Sequence, residues 1–443
     1  MTATVPTVNA SPNRGSSGAA DTDSRLPDCN WDADRRVLSD LQAPLADFAS
    51  VGQWIASPDG EHVAAPVELE DGSQQVCVDG KVWETVYEKA WHLAYSPDGR
   101  LTALVRLDDQ WTVVVDGQEW PERFDFVWNT KFSNDGSVIA AQVKRDSRHS
   151  IALDGKAWEP DFLSCRDYVL SPDGKRAAAT VQAEDLAEAD ITKFMQGTWS
   201  VAVDGEVWSG RYVNTWDPRF SRDGSHVAAQ VRTGPFEYTI AEDDSPWEAR
   251  FGCIWSPEYR GKSRKLVAPV RSAGAWTLAQ DGRPVWKNRF MQLWHVQMPA
   301  DGSRIAAVVA PSLGQWTVAV DDTPWPCTFD SLVLDPRFSP DGKRVAAVAR
   351  HAGHWTVAVD GRPWDATFDR VGEPVFLDAG GVILARVERD GAHRLARNGR
   401  LVGDGYEWLW DPIASPDGRR VLIRGIRDHH YVREVMDLSR LEN

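Results

Sequence analysis

The stretch Val333-Leu-Asp-Pro-Arg-Phe-Ser-Pro-Asp-Gly-Lys-Arg-Val-Ala-Ala-Val-Ala-Arg-His-Ala-Gly-His-Trp-Thr-Val-Ala-Val-Asp-Gly-Arg-Pro-Trp-Asp-Ala-Thr-Phe-Asp369 contains one complete structural unit. A first strand ends at Phe338. In the Ser-Pro-Asp-Gly turn that follows, Pro340 presets φ and Gly342 can take the positive φ that closes a four-residue hairpin. The next strand, Arg344-Val-Ala-Ala-Val-Ala-Arg350, is small and apolar, as an interior strand should be. Trp355-Thr-Val-Ala-Val359 follows as a third. Asp360-Gly361 then supplies a two-residue type I′ loop, and a fourth strand begins at Pro363-Trp364. The unit is therefore four antiparallel strands.

Copies of the turn end at Gly60, Gly99, Gly136, Gly174, Gly224, Gly302, Gly342 and Gly418, with degenerate versions at Ser256–Lys265 and Asp378–Gly381. The first steps are 39, 37 and 38 residues, read from Gly60, Gly99, Gly136 and Gly174. A period near 40 with four short strands is that of a propeller blade. Ten repeats predict an all-β chain folded as one ten-bladed β-propeller over residues 29–443. Two five-bladed rings would need a linker and a second closure, yet the fifth and sixth repeats run on without a break. Trp31–Val37 matches Trp364–Val371, so residues 31–37 are expected to complete the last blade and close the ring, leaving no open sheet edge.

Of the 22 tryptophans, all but Trp31 and Trp408 keep the same register: after the second turn, at the start of the third strand, or on the first strand. That periodicity points to packing between blades rather than to electron relay. Residues 1–28, rich in Ser, Thr, Ala and Pro, lack the basic start and apolar run of a secretion signal and read as a disordered tail.

With 65 acidic against 49 basic residues and a net charge of −16, the surface repels phosphate backbones, which argues against nucleic acid. No apolar run is long enough to span a bilayer. The five cysteines are scattered, without CxxC or CxxCH spacing, so a reducing, cytoplasmic location and no cluster or c-haem site are expected. No nucleophile elbow, Walker A loop, dinucleotide fingerprint or HExxH pair occurs. His351-x-x-His354 has no third ligand in sight. The Asp-Gly carboxylates recur because the turn needs them. No catalytic residue, metal or cofactor is expected.

Departures from the repeat are where partner contacts concentrate. The fourth unit carries about 12 extra residues within Ala183–Gly197, since the step from Gly174 to Gly224 is 50 residues. Ala187, Ile191, Phe194 and Met195 fall at helical spacing, predicting a short amphipathic helix. It could fold onto its own blade or, with Leu186, Ile191, Phe194 and Met195, dock another subunit. The sixth hairpin gathers Arg260, Lys262, Arg264 and Lys265, either a solvated loop tip or a contact for anionic lipid or an acidic partner. Arg419, Arg420, Arg424 and Arg427 form a second basic cluster.

The Ser-Pro-Asp-Gly unit resembles the WD-like repeats of TolB-type propellers over nearly the whole chain from residue 29. Its tryptophan-rich form, W-T-V-A-V-D-G-x-x-W, at 199–208, 316–325 (Asp322 replacing Gly) and 355–364, resembles more narrowly the TmcD family, the tryptophan-rich subunits of the Tmc transmembrane electron-transfer complex of sulfate-reducing bacteria. That resemblance implies a cofactor-free subunit on the cytoplasmic side of the membrane. It also implies partners: an iron–sulfur protein of the heterodisulfide-reductase type, a membrane cytochrome b and a periplasmic multihaem cytochrome c. It carries no functional residue onto this chain. The leading expectation is a non-catalytic scaffold in such a complex. A freestanding TolB-like interaction module is the alternative, and an enzyme centred on the propeller channel is a third.

Overall fold

The computed structural model describes residues 29–42, 46, 48–186, 190–334 and 336–442. The N-terminal stretch 1–28 and Ala187 lie outside the described residues. Ten antiparallel sheets follow one another along the chain, each of four strands (a to d) in sequential order. Blade 1 spans 50–82, blade 4 spans 165–207, blade 5 spans 214–246 and blade 8 spans 332–363. In several blades strand a is split in two, as at Leu332–Val333 and Arg337–Phe338 of blade 8. Both degenerate repeats form full blades.

The unit read from the sequence shows how the local chemistry builds a blade. Ser339 Oγ donates to Asp341 Oδ1 (2.6 Å) and accepts from the Arg344 amide (2.9 Å), which ties the a–b turn shut. Asp360 and Gly361 sit at φ 49° and 80°, the two left-handed residues that a type I′ turn requires. Asp360 Oδ1 also accepts from the Val345 amide at the head of strand b (2.8 Å). The same carboxylate-to-amide bond recurs from Asp79 to Val63, Asp204 to Ala177 and Asp321 to Ile305. These acids thus serve the backbone.

Two contacts repeat between neighbouring blades. An arginine of the a–b turn or at the head of strand b donates to the carbonyl of the next blade's a–b turn: Arg176 to Gly224 (3.1 Å), Arg260 to Gly302 (2.7 Å) and Arg344 to Gly380 (2.6 Å). The strand-d tryptophan packs under the next blade's c–d turn, Trp120 under Gly155, Trp325 under Gly361 and Trp364 under Gly399. Apolar clusters fill the space between blades, such as the one joining Val308, Trp325, Phe329, Val345 and Ala347. The strand-d tryptophans therefore serve blade-to-blade packing, while strand-a and strand-c tryptophans also pair within a blade, as Trp255 does with Trp276 and Trp294 with Trp316.

The ring closes through the N-terminal strand, which pairs antiparallel with the last strand, His430–Asp437. The closing strand is Arg35–Asp40, four residues later than the expected 31–37, with a bulge between Val37 and Ser39. The match of Trp31 to Trp364 misled because strand d is only two residues long in the first eight blades, as at Arg362–Pro363, and the closing strand is not bound to that pattern. Residues 29–31 act instead as a clasp. Arg433, 1% exposed, donates to the carbonyls of Asn30 (2.6 Å) and Asp59 (3.0 Å) and pairs with Glu61 (3.0 Å). Tyr431 Oη donates to the Gly60 carbonyl (2.8 Å), so the last blade grips the first blade's turn.

Candidate partner-binding face

In a four-stranded antiparallel blade the a–b and c–d turns lie on one side of the ring and the b–c loops and d–a connections on the other. The sequence-predicted contact residues therefore separate: the helical insertion is on the loop face and the basic hairpin on the turn face.

The insertion forms a helix only over Ile191–Gln196. Asp190 caps it by accepting from the Lys193 amide (2.9 Å), and Gly197, at φ 102°, ends it against the backbone of Tyr212. None of its residues is buried. Ile191 is 75% exposed and Phe194 40%, while Leu186 and Met195 are half-buried. Glu184 anchors the insertion's entry by pairing with Arg211 (3.2 Å) and Lys193 (3.7 Å).

On the turn face the basic hairpin is partly neutralised. Arg260 binds the Gly302 and Ser303 carbonyls, and Arg264 pairs with Glu242 (3.1 Å) and Asp243 (3.5 Å). Lys262 and Lys265 remain exposed. The C-terminal arginines do not gather as a patch. Arg420 binds the Trp31 carbonyl and Asp437, Arg424 binds the Ser57 and Asp411 carbonyls, and Arg427 pairs with Asp404 and lies over Tyr406. His351 lies 3.5 Å from Asp330, and among the described residues no three His, Cys, Asp or Glu side chains form a metal set.

Two features escape the sequence reading. Phe236 and Leu313 stand at b–c loop tips, 82% and 88% exposed. Equivalent tips elsewhere carry Asp108-Asp109, Asp146-Ser147 or Ala352-Gly353, so an apolar residue at that repeat position is the sequence signal. Among the described residues, none of the large exposed apolar side chains lies in an a–b or c–d turn.

The second feature is an ionic cluster on strand a. First strands of adjacent blades touch one another: Tyr168 Oη donates to the Asn129 carbonyl (2.6 Å) and Lys131 Nζ to that of Tyr168 (2.5 Å). Ser256 Oγ donates to Asp217 (2.6 Å), and Arg219 pairs with Glu258 (3.3 Å). These first strands meet across neighbouring blades, the arrangement by which a propeller gathers its innermost strands around the axis. Burial, aided by Arg219, pulls the Lys131 amine down to about 8, and burial raises Asp167 and Glu258 above the usual carboxylate range. The signal was a polar residue after the strand-a aromatic, held in the left-handed region, as at His92, Asn129, Asp217 and His295.

These observations define a closed ten-bladed β-propeller, an architecture consistent with an interaction module. No family model matches the chain, and no curated protein does. Among solved structures, one described as a crystal structure of the eukaryotic initiation factor matches 74% of this chain and 90% of its own at 14% identity, with a TM-score of 0.48. A structure described as the Dos1 propeller matches 90% and 94% at 10% identity, with a TM-score of 0.34. Likenesses this distant carry no function across, and the fold stands on the sheet topology itself. No helix among the described residues is long and apolar enough to cross a membrane.

Proposed function

We propose that this chain is a non-catalytic interaction subunit that seats partner proteins on its loop face. The observation that carries the reading is the segregation of exposed apolar side chains. Ile191, Phe194, Phe236 and Leu313 stand on b–c loops, where they add little to the fold, while the turn face is occupied by blade-to-blade hydrogen bonds. The tryptophan-rich repeat supports a finer reading. In it the partners are redox subunits of a membrane-bound electron-transfer complex, namely a heterodisulfide-reductase-like iron–sulfur protein, a membrane cytochrome b and, in the same assembly, a periplasmic multihaem cytochrome c. The chain then sits at the cytoplasmic face of the membrane, held there through those partners and binding no cofactor itself.

Affinity capture of the full chain from gently solubilised native membranes, with visible spectra and mass spectrometry, tests this. Haem bands and iron–sulfur subunits in stoichiometric amounts support it. A colourless protein recovered alone sinks the electron-transfer reading and leaves the freestanding interaction module.

The channel cluster favours a second reading, an enzyme centred on the axis, because perturbed ionisable groups gather at active sites. Lys131, Asp217, Arg219 and Glu258 already have neighbouring-blade partners, which suits a seam at least as well. Replacing Lys131 and Asp217 would abolish an activity but leave partner capture unchanged.

A further inference from the structure

Phe236 combines three properties that conflict with a structural role. It is 82% exposed, it is aromatic, and its backbone sits at φ 59°. A bulky side chain in the left-handed region is strained and costs stability, and here it buries nothing in return. Such strain persists where function holds it.

The chain path brings Phe236 beside the helical insertion. Gly197, at the insertion's exit, lies against the backbone of Tyr212. The next residue, Val213, donates its amide to the Arg232 carbonyl (2.9 Å), and Arg232 leads directly into the loop that carries Phe236. The insertion and this loop thus flank the same d–a connection on the loop face.

Charge decides what can sit between them. The basic side chains here are already engaged: Lys193 and Arg211 by Glu184, and Arg232 by the Gly234 carbonyl (3.1 Å) and the Tyr238 ring. Asp185, Asp190 and Glu237 make no ion pair among the described residues, on a chain of net charge −16. Exposed apolar anchors edged by acids that lack a basic partner complement an apolar segment flanked by lysine or arginine.

We propose that the loop-face surface between the fourth-blade insertion and the fifth-blade loop, bearing Ile191, Phe194 and Phe236 together with Asp185, Asp190 and Glu237, receives a basic amphipathic segment of a partner protein. The inference rests on the reading of the loop face as the binding face. Phe236 acts as the central aromatic anchor, and its strain is the cost of presenting it.

The test uses the full chain and a synthetic amphipathic Leu/Lys helix peptide as probe, with a Leu/Glu peptide of the same pattern and anionic lipid vesicles as comparators. The Leu/Lys peptide is expected to bind and the Leu/Glu peptide not to. Phe236→Gly and the double variant Ile191→Asp, Phe194→Asp are each expected to weaken the Leu/Lys peptide by at least about tenfold. Phe236→Gly should leave the urea midpoint unchanged or raised, because it relieves the strained φ; a structural phenylalanine would lower it. Equal binding of the Leu/Glu peptide, or undiminished binding by both variants, overturns the proposal. So does self-association that Phe236→Gly abolishes, which makes the occupant a second copy, or binding to vesicles but not to the peptide. Peptide binding that survives a failed membrane capture dismisses the redox partners and keeps the site; the reverse result does the opposite.

Discussion

Replacing Arg433 by methionine should open the ring at its seam. The guanidinium is 1% exposed and holds three separate parts of the closure: the carbonyl of Asn30 before the closing strand, and the carbonyl of Asp59 and carboxylate of Glu61 in the first blade's turn. Methionine keeps the apolar stem but strands two carbonyls, and it leaves Glu61 with Arg36 as its remaining partner. Breaking a buried charged contact of this kind costs about 3–5 kcal/mol, more than the ~1 kcal/mol typical of an exposed pair. The loss is read from the urea midpoint of tryptophan fluorescence. It should also be local, because Arg433 pairs in register with Arg36 of the closing strand. Hydrogen exchange should accelerate in 35–40 and 57–61 while the strand-b amides of blade 5, Val227–Gly234, keep their protection. A midpoint loss under ~1 kcal/mol, or exchange that rises evenly around the ring, would refute the clasp.

Other consequences follow from the repeated contacts. Gly361→Val forces a branched residue into φ 80° with its Cβ 3.1–3.2 Å from Pro326 and Trp325, and should cost about 1–3 kcal/mol in urea unfolding. Gly353→Asn, at a tip with nothing within 4 Å and in a conformation asparagine tolerates, should be nearly neutral in the same assay. Trp325→Ala removes a buried ring from between blades 7 and 8 and should cost about 3–5 kcal/mol. Hydroxyls and amides hold several a–b turn carboxylates below their ordinary pKa, Asp135 at about 2 through Ser133 and Ser137, and Asp341 through Ser339. A depressed folded-state pKa contributes stability above the unfolded value near 3.8 that is lost as pH falls through the folded value. Acid unfolding should therefore set in between about pH 4 and pH 2, and Asp135→Asn should flatten that part of the curve.

The period, the blade and the ring were legible in the sequence because each rests on local chemistry. Asp360-Gly361 can adopt few shapes other than the one it has, and Ser339 and Asp341 close their turn within a few residues. The closing strand was only partly legible. Its partner lies about 400 residues away in sequence, and Arg433 marks the true register only once Asn30 and Asp59 are beside it. The insertion read as a helix, but Asp190 and Gly197 confine it to six residues. Basic composition was a poor guide to charge, because Arg260, Arg264 and Arg424 find carbonyls and carboxylates on other blades and Arg420 finds the Trp31 carbonyl and Asp437. Exposure at Phe236 is foreshadowed by an apolar residue at a tip that elsewhere carries Asp108-Asp109 or Ala352-Gly353, whereas its strain belongs to the backbone path of the loop.

The most direct test of an interaction propeller that works through its loop face is hydrogen exchange of the chain alone and in its captured native complex. Protection on binding is expected across 184–197 and 233–237, with the a–b turns at 57–60 and 339–342 unchanged. Protection confined to those turns, or none on the loop face, would contradict the account.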